Sequence, residues 1–367
     1  MKMKYYFGAD TAHKLGKQLG IDAEEYAAWV APRVDDLEIK DRVSVFAAGL
    51  KDRLPGEYPE VVAGIVDKLG PELAEGEGYF NHSFHLWPVS RYIEDYGLEH
   101  PEVSLDAIEA LTRVFTGEWA VRPFLARYPE ATLECVHVWS RSDSHNVRRL
   151  STEGIRPRLP WAAVHRPFTE DPSPILPVLD RLYNDESLYV RTSVANNLND
   201  IAKTHPDLAV ATARRWREEN DSPEVTWVVD RSLRGLVKQS HHEALDVVGF
   251  APDAGIELHS VAFPGAAAIG SSVELTATLV NHGDTARDVL VDYKLHFLKA
   301  NGGRRPTVFR FGRFTLAPGE ELEISKTHPF RVTGTRTYYP GTQAVSVVVN
   351  GIESEPIAFE LSAADAE

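Results

Sequence analysis

Between residues 100 and 250 the chain repeats itself, and this restricts its fold more than any other feature. Val190, Leu198 and Ile201 in V-R-T-S-V-A-N-N-L-N-D-I-A align with Val225, Leu233 and Leu236 in V-T-W-V-V-D-R-S-L-R-G-L-V. In the other direction Val147 aligns with Val190, and Ile155 with Leu198. The run R-Y-P-E (Arg127 to Glu130) with its following Trp139 recurs as T-H-P-D (Thr204 to Asp207) with Trp216, 77 residues later. Two units of about 39 residues account for that distance. Apolar residues three and four positions apart define one face of a helix, so each unit reads as a helix pair. Such a pair buries its apolar face only against its neighbours, and stacking produces a curved solenoid with a concave wall.

Helix pairs of this period are HEAT-like units. Residues 1–100 read as further helices, with Leu37, Ile39, Val43 and Phe46 on one face and breaks at Pro55-Gly56, Gly70-Pro71 and Trp87-Pro88. From about residue 255 the texture changes to short β-rich runs: Val273 to Val280, Val289 to Leu298, Val308 to Leu316, Glu321 to Ile324 and Ala344 to Val349. The turn signals Asn281-His282-Gly283, Asn301-Gly302-Gly303 and Pro318-Gly319 separate them. That spacing predicts an antiparallel sandwich of immunoglobulin type over 256–362, with Ala251 to Gly255 as linker. The expected fold is multidomain, an all-α HEAT-like-repeat solenoid followed by an all-β immunoglobulin-like sandwich. The helical domain is expected at 1–250, with N-terminal helices over 1–100 and the repeats, carrying the site, over 101–250.

Composition narrows the function. One cysteine, Cys135, among 367 residues excludes a disulfide framework and a cysteine-based zinc site, and it fits a reducing cytoplasm. The histidines His82, His85, His241 and His242 lack clustered carboxylates at ligand spacing, so no metal and no cofactor is expected. No apolar segment has the form of a signal peptide or a membrane span, and a monomer without membrane attachment is expected. The net charge of −15 argues at first against a nucleic-acid partner. Locally the sign reverses: Arg141 to Arg158 holds five arginines against two acids. A basic stripe on a concave wall suits a phosphate backbone.

With Val190 at zero on a helical wheel, Val194, Leu198 and Ile201 fall on one side. Asn196, Asn199, Asp200 and Lys203 fall opposite; Arg149, Glu153 and Arg156 take the equivalent face of the preceding unit. Glu118 falls near the level of Glu153, so three successive units place three carboxylates on one wall. Spacing alone also fits a solvated face of Glu–Arg pairs, with Arg122 as an i+4 partner for Glu118 and Arg149 or Arg156 as partner for Glu153. Trp161, beyond the two prolines of S-T-E-G-I-R-P-R-L-P-W, fits a residue capping a solenoid layer equally well.

Three blocks go further. T-G-E-W-A-V-R-P-F (Thr116 to Phe124), R-R-L-S-T-E-G-I-R-P-R-L-P-W (Arg148 to Trp161) and Y-V-R-T-S-V-A-N-N-L-N-D-I-A-K-T-H-P-D (Tyr189 to Asp207) resemble the AlkC branch of the HEAT-like-repeat DNA glycosylases. The likeness runs to about Phe250 and includes L-E-I-K-D-R-V (Leu37 to Val43). Some AlkC-like proteins carry a C-terminal immunoglobulin-like domain. The chain departs from the family pattern at Trp119, Ile155 and Asn197, where Phe, Thr and His are usual.

The resemblance implies a hydrolase of base excision repair that acts on double-stranded DNA and removes cationic alkylated bases such as 3-methyladenine and 3-methylcytosine. Glu118, Glu153 and Asp200 are then the carboxylates that stabilise an oxocarbenium-like sugar and activate water, and Trp161 is the active-site aromatic. Arg148, Arg149, Arg156, Arg158 and Lys203 are expected to hold phosphates, and Arg304 and Arg305 to form a basic clamp in the β domain near Arg310 and Arg313. The family implies a base that stays largely stacked while it is cleaved. The alternative is a non-catalytic solenoid that binds damaged or branched DNA.

Overall fold

The computed structural model describes residues 3–75, 77, 82–252, 255–332 and 337–363. The proposed linker residues Asp253 and Ala254 lie outside the described residues. Fifteen α-helices precede nine strands among them. The helices are α1 Ala9–Leu19, α2 Ala23–Val34, α3 Ile39–Arg53, α4 Tyr58–Val66, α5 Trp87–Tyr96, α6 Pro101–Thr112, α7 Val121–Arg127 and α8 Pro129–Trp139. They continue with α9 His145–Glu153, α10 Arg166–Glu170, α11 Leu176–Leu182, α12 Leu188–Ile201, α13 Pro206–Glu219, α14 Pro223–Lys238 and α15 His242–Val247. No described helix is long and apolar enough to cross a membrane.

The repeat has a physical counterpart in how its helices start. α6, α8 and α13 each begin with proline, and His100, Tyr128 and His205 before them share φ near −131° and ψ near 60°. Proline forces its predecessor out of the helical region and fits the first turn, where its missing N–H leaves no bond unmade. The paired tryptophans also do the same work: Trp139 Nε1 donates to Glu109 (3.0 Å) and Trp216 Nε1 to Asp180 (2.8 Å). Each buried indole thus anchors to an acid on an earlier helix, α6 or α11. α9 and α12 start at Ser144 and Ser187, whose hydroxyls accept from Val147 N and Tyr189 N.

The chain forms two compact units. One comprises residues 1–205 and 216–232, the other residues 206–215 and 233–367. In the second, the strands form two sheets, β1-β3-β6 and β2-β9-β7-β4-β5, with β8 pairing β7. Here β1 is Ile256–Ala262, β2 Ala266–Ala268, β3 Ser272–Asn281, β4 Arg287–Leu298, β5 Arg304–Leu316, β6 Glu321–Pro329, β7 Gly341–Val349, β8 Ile352–Glu353 and β9 Ile357–Ser362. All pairings are antiparallel except β2 with β9. Inward residues such as Leu275, Leu279, Val291, Leu295, Val345 and Val347 alternate along the strands and fill the space between the sheets. This is the expected immunoglobulin-like sandwich. Four of its strands, β1, β2, β8 and β9, have no counterpart among the β-rich runs read from the sequence.

Candidate active site

The three carboxylates come together, and they arrive with partners. Glu118 precedes α7, Glu153 is the last residue of α9, and Asp200 lies in the last turn of α12. Arg149 and Arg156 are interleaved between them. Arg149 pairs with Glu118 and reaches Glu153 at 3.6 Å. Arg156 pairs with Glu153 at 2.6 Å and with Asp200 at 2.8 Å, and Lys203 closes the far end on Asp200 at 2.7 Å. The result is one unbroken chain of alternating charge, Glu118–Arg149–Glu153–Arg156–Asp200–Lys203, in which all but Lys203 are buried.

Hydroxyls complete it. Arg149 Nη1 donates to Thr116 Oγ1 (3.0 Å), whose hydroxyl donates to Glu118 Oε2 (3.0 Å). Ser193 Oγ donates to Glu153 Oε2 and accepts from Thr152 Oγ1, both at 2.6 Å. The Arg149 guanidinium also lies 5.0 Å over the Tyr189 ring. Burial alone raises the pKa of the Glu153 carboxyl. Arg149, Arg156 and the Ser193 hydroxyl outweigh it, and Glu153 ends below the ordinary carboxylate range. Burial likewise opposes the Arg156 cation, but Glu153 and Asp200 raise its pKa. Both Glu153 oxygens and both Asp200 oxygens are occupied, whereas Glu118 Oε1 has no hydrogen bond to a described residue.

This arrangement changes the reading of the basic stripe. Arg149 and Arg156 are buried counter-ions of the carboxylates, and Arg148 is held by Asp185 at 2.7 Å and Glu186 at 3.3 Å. The local excess of arginine is thus met by acids from other parts of the sequence, Glu118, Asp185, Glu186 and Asp200. Arg158 is half-buried, with its Nε sealed from solvent and without a hydrogen bond to a described residue. Lys203 keeps half of its side chain exposed. Arg304 and Arg305 lie exposed at the start of β5, in the other unit, with Arg304 Nη2 donating to Thr342 O at 3.1 Å. The polar wheel face is only partly solvated: Asn199 and Asp200 are buried, Asn196 is half-buried and Lys203 is exposed.

Trp161 stands half-exposed at φ 62°, a left-handed conformation that costs a bulky residue about 1–3 kcal/mol. Its ring lies nearly parallel to those of Trp87 (5.9 Å, 9°) and Trp119 (6.3 Å, 16°). Because Trp119 follows Glu118 directly, the tryptophan cluster and the charged chain meet at residues 118–119. Beside the cluster is a cavity of about 420 Å³ bounded by the three tryptophans with Lys40, Glu94 and His165. None of the three carboxylates lines it. Burial and the nearby Arg122 push the His165 imidazole down to about 4. Arg122 does not pair with Glu118; its guanidinium donates to backbone carbonyls.

Thr116, Ser193 and Trp87 belong to the site without having been singled out from the sequence, and Arg122 was read there only as an ion-pair partner of Glu118. Thr116 had a signal, two residues before Glu118; Ser193 and Trp87 reach the site only through packing. His85 Nε2 donates to Gln18 Oε1 (2.7 Å), and His241 caps α15. No group of three or more His, Cys, Asp or Glu among the described residues is placed to hold a metal ion.

The chain is similar in sequence and fold to known proteins. Residues 258–363 match the family described as uncharacterised protein YhaZ, C-terminal Ig-like domain. The uncharacterized protein YhaZ of Bacillus subtilis (strain 168) is 36% identical over 327 residues, which span 89% of this chain and 88% of YhaZ. The structure is similar to that of the Pseudomonas fluorescens alkylpurine DNA glycosylase AlkC bound to DNA containing an abasic site analog. The TM-score is 0.88 at 29% identity, over 98% of this chain and 99% of AlkC.

Proposed function

This chain belongs to the AlkC-type family of HEAT-like-repeat DNA glycosylases with a C-terminal immunoglobulin-like domain, and from that premise we propose that it removes cationic alkylated bases from double-stranded DNA. The substrates are bases alkylated on a ring nitrogen, such as 3-methyladenine and 3-methylcytosine. The product is an abasic site for base excision repair. The observation that carries this reading is the buried chain of three carboxylates and two guanidiniums, whose Glu118 end is next in sequence to Trp119 of the tryptophan cluster.

A ring-alkylated base is already cationic and leaves as a neutral molecule, so the reaction needs no general acid. The barrier lies in the sugar, whose C1′ becomes cationic as the C1′–N bond breaks. Carboxylates fixed at that point stabilise the developing charge, and fixed groups do so without reorganising during the reaction. Arg149 and Arg156 hold Glu153 ionised and immobile. Glu118, with one oxygen uncommitted, orients the water that adds to C1′ and accepts its proton. The exposed part of the Trp161 ring packs against the sugar, where a π face near a cation adds about 0.5–2 kcal/mol. Lys203 and Arg158 hold phosphates near the lesion, and Arg304 and Arg305 supply backbone contacts from the β domain.

The test uses methylated duplex DNA with wild-type protein and the Glu118→Gln and Asp200→Asn variants, measuring free 3-methyladenine and 3-methylcytosine. Release of either base by wild type, with loss in the variants, supports the reading. Absence of release beside tight binding of the damaged duplex would mean a non-catalytic DNA-binding solenoid.

A further inference from the structure

We propose that Arg122 is a positioning residue for the glycosylase reaction: it clamps the 154–163 segment and thereby fixes both the end of the Glu153 helix and the Trp161 ring. The proposal rests on the glycosylase reading for its kinetic consequence, and on geometry alone for the clamp itself.

The segment from Gly154 to Ala163 links α9 to the tryptophan cluster without regular secondary structure. Its carbonyls therefore need donors from elsewhere. Arg122 supplies three bonds: Nη1 to Gly154 O (3.1 Å) and Arg156 O (2.7 Å), and Nη2 to Ala163 O (3.0 Å). The two ends of the segment are thus tied to one guanidinium. Two further side chains hold its apex, Trp119 Nε1 to Pro160 O (3.2 Å) and Lys40 Nζ to Trp161 O. Within the segment, Ala162 N donates to Leu159 O and His165 N to Pro157 O.

Three features mark this as more than a loop that happens to be hydrogen-bonded. Arg122 is a half-buried cation whose partners among the described residues are backbone carbonyls with no acid among them, and it sits beside a second cation, Arg156. Burial and that neighbour push its pKa down to about 10. The approach that brings it there requires Gly154, where a Cβ would meet Val121 Cγ1 at 2.7 Å and Leu150 O at 3.1 Å. And the object held is Trp161, in a backbone conformation that a tryptophan does not keep unaided.

The experiment compares full-length wild type with Arg122→Met, which removes the donors at similar length, Arg122→Lys, which keeps one cationic head, and Trp119→Phe, which keeps the ring but not its N–H. Amide hydrogen exchange is read at Ala162 and His165, and single-turnover excision from methylated duplex is read beside affinity for abasic-site DNA. Arg122→Met is expected to speed exchange at both amides by about 10-fold or more while amides of the α12 core keep their rates. It should lower the excision rate by about 10–100-fold with affinity changed less than about threefold, since displaced groups lose rate before binding. Arg122→Lys should recover part of the rate, and Trp119→Phe should lose about two- to fivefold, the worth of one hydrogen bond. Unchanged exchange at Ala162 and His165 overturns the clamp whatever the activity. A fall in affinity that parallels the fall in rate makes Arg122 a DNA-binding residue instead. If Arg122→Met does not fold, wild-type exchange and rate in both Arg122→Lys and Trp119→Phe overturn the proposal. Wild-type protein that releases no base defeats the glycosylase reading alone, and the exchange data still decide the clamp.

Discussion

The two units of the chain treat buried charge in opposite ways. In the β-sandwich unit the core is mostly Val, Leu, Phe and Tyr with a few buried neutral polar groups, and Asp292 is the one buried Asp, Glu, Lys or Arg among the described residues. In the helical unit six are buried, and five of them, Glu118, Arg149, Glu153, Arg156 and Asp200, form a single chain. Desolvating an ion costs several kcal/mol, and pairing repays this only with good geometry, so a buried ion chain is a poor way to gain stability. The sandwich is built as a fold can be built for stability. The site helices accept an expensive interior, which is the signature of a place where charge is used.

The contrast can be broken at several points. The largest effect is expected at Glu153. Glu153→Gln keeps the shape and should lower single-turnover excision by on the order of 10²–10³-fold, the scale for removing a group that stabilises transition-state charge. It also leaves Arg149 and Arg156 short of a counter-ion, at a cost on the order of 3 kcal/mol in denaturant titrations. Phe330→Ala in the β core should destabilise that unit by about 3–5 kcal/mol, yet leave the rate of C1′–N cleavage in the bound complex unchanged. A comparable loss of chemistry there would dissolve the division between the units.

Acid titration sharpens the comparison further. Burial pushes His85 and His165, both in the helical unit, down to about 4 from 6.5. As the pH falls below 6.5 the unfolded chain binds protons that the folded chain refuses, so the stability these groups permit is full above 6.5 and declines towards 4. Glu153 adds a further loss below its ordinary value of 4.5, since its folded pKa is the lower one. His85→Gln, which can keep a hydrogen bond to Gln18, should flatten the dependence of Tm on pH between 6.5 and 4. The smallest effect is expected from Arg304→Ala with Arg305→Ala, weakening DNA binding by about 3–10-fold and reducing the salt slope by about 1–2. An unchanged salt slope would remove the β-domain clamp from the account.

Much of this architecture was legible in the sequence. The apolar period gave the helix pairs, and the proline starts and anchored tryptophans of the repeat recur as matching structures. Strands β3 to β7 announced themselves by alternation and turn residues. β1 and β9 were missed: β1 breaks its alternation at a register shift between Leu258 and Ser260, and β9 is only six residues long. The carboxylates could be named from their blocks, but their partners could not. A helical wheel knows only its own helix, so it could put Asn199 and Asp200 on the polar face but could not tell that both are buried. A local charge count fails for the same reason: the acids that neutralise Arg148, Arg149 and Arg156 come from up to 44 residues away. Arg122 is the plainest case, since its i+4 spacing from Glu118 suggested an ion pair and packing turned it to three carbonyls.

The central claim is that the buried carboxylates act on a sugar cation and are not merely an ion-pair ladder that holds helices together. The most direct measurement is the affinity of wild type and Glu153→Gln for duplexes carrying a cationic nitrogen-ring sugar analogue or an uncharged tetrahydrofuran at the same position. The account predicts that wild type prefers the cationic analogue by about 10-fold or more and that Glu153→Gln loses most of this preference while still binding the uncharged duplex. Equal binding of the two duplexes by wild type, or a preference untouched by the substitution, would contradict it.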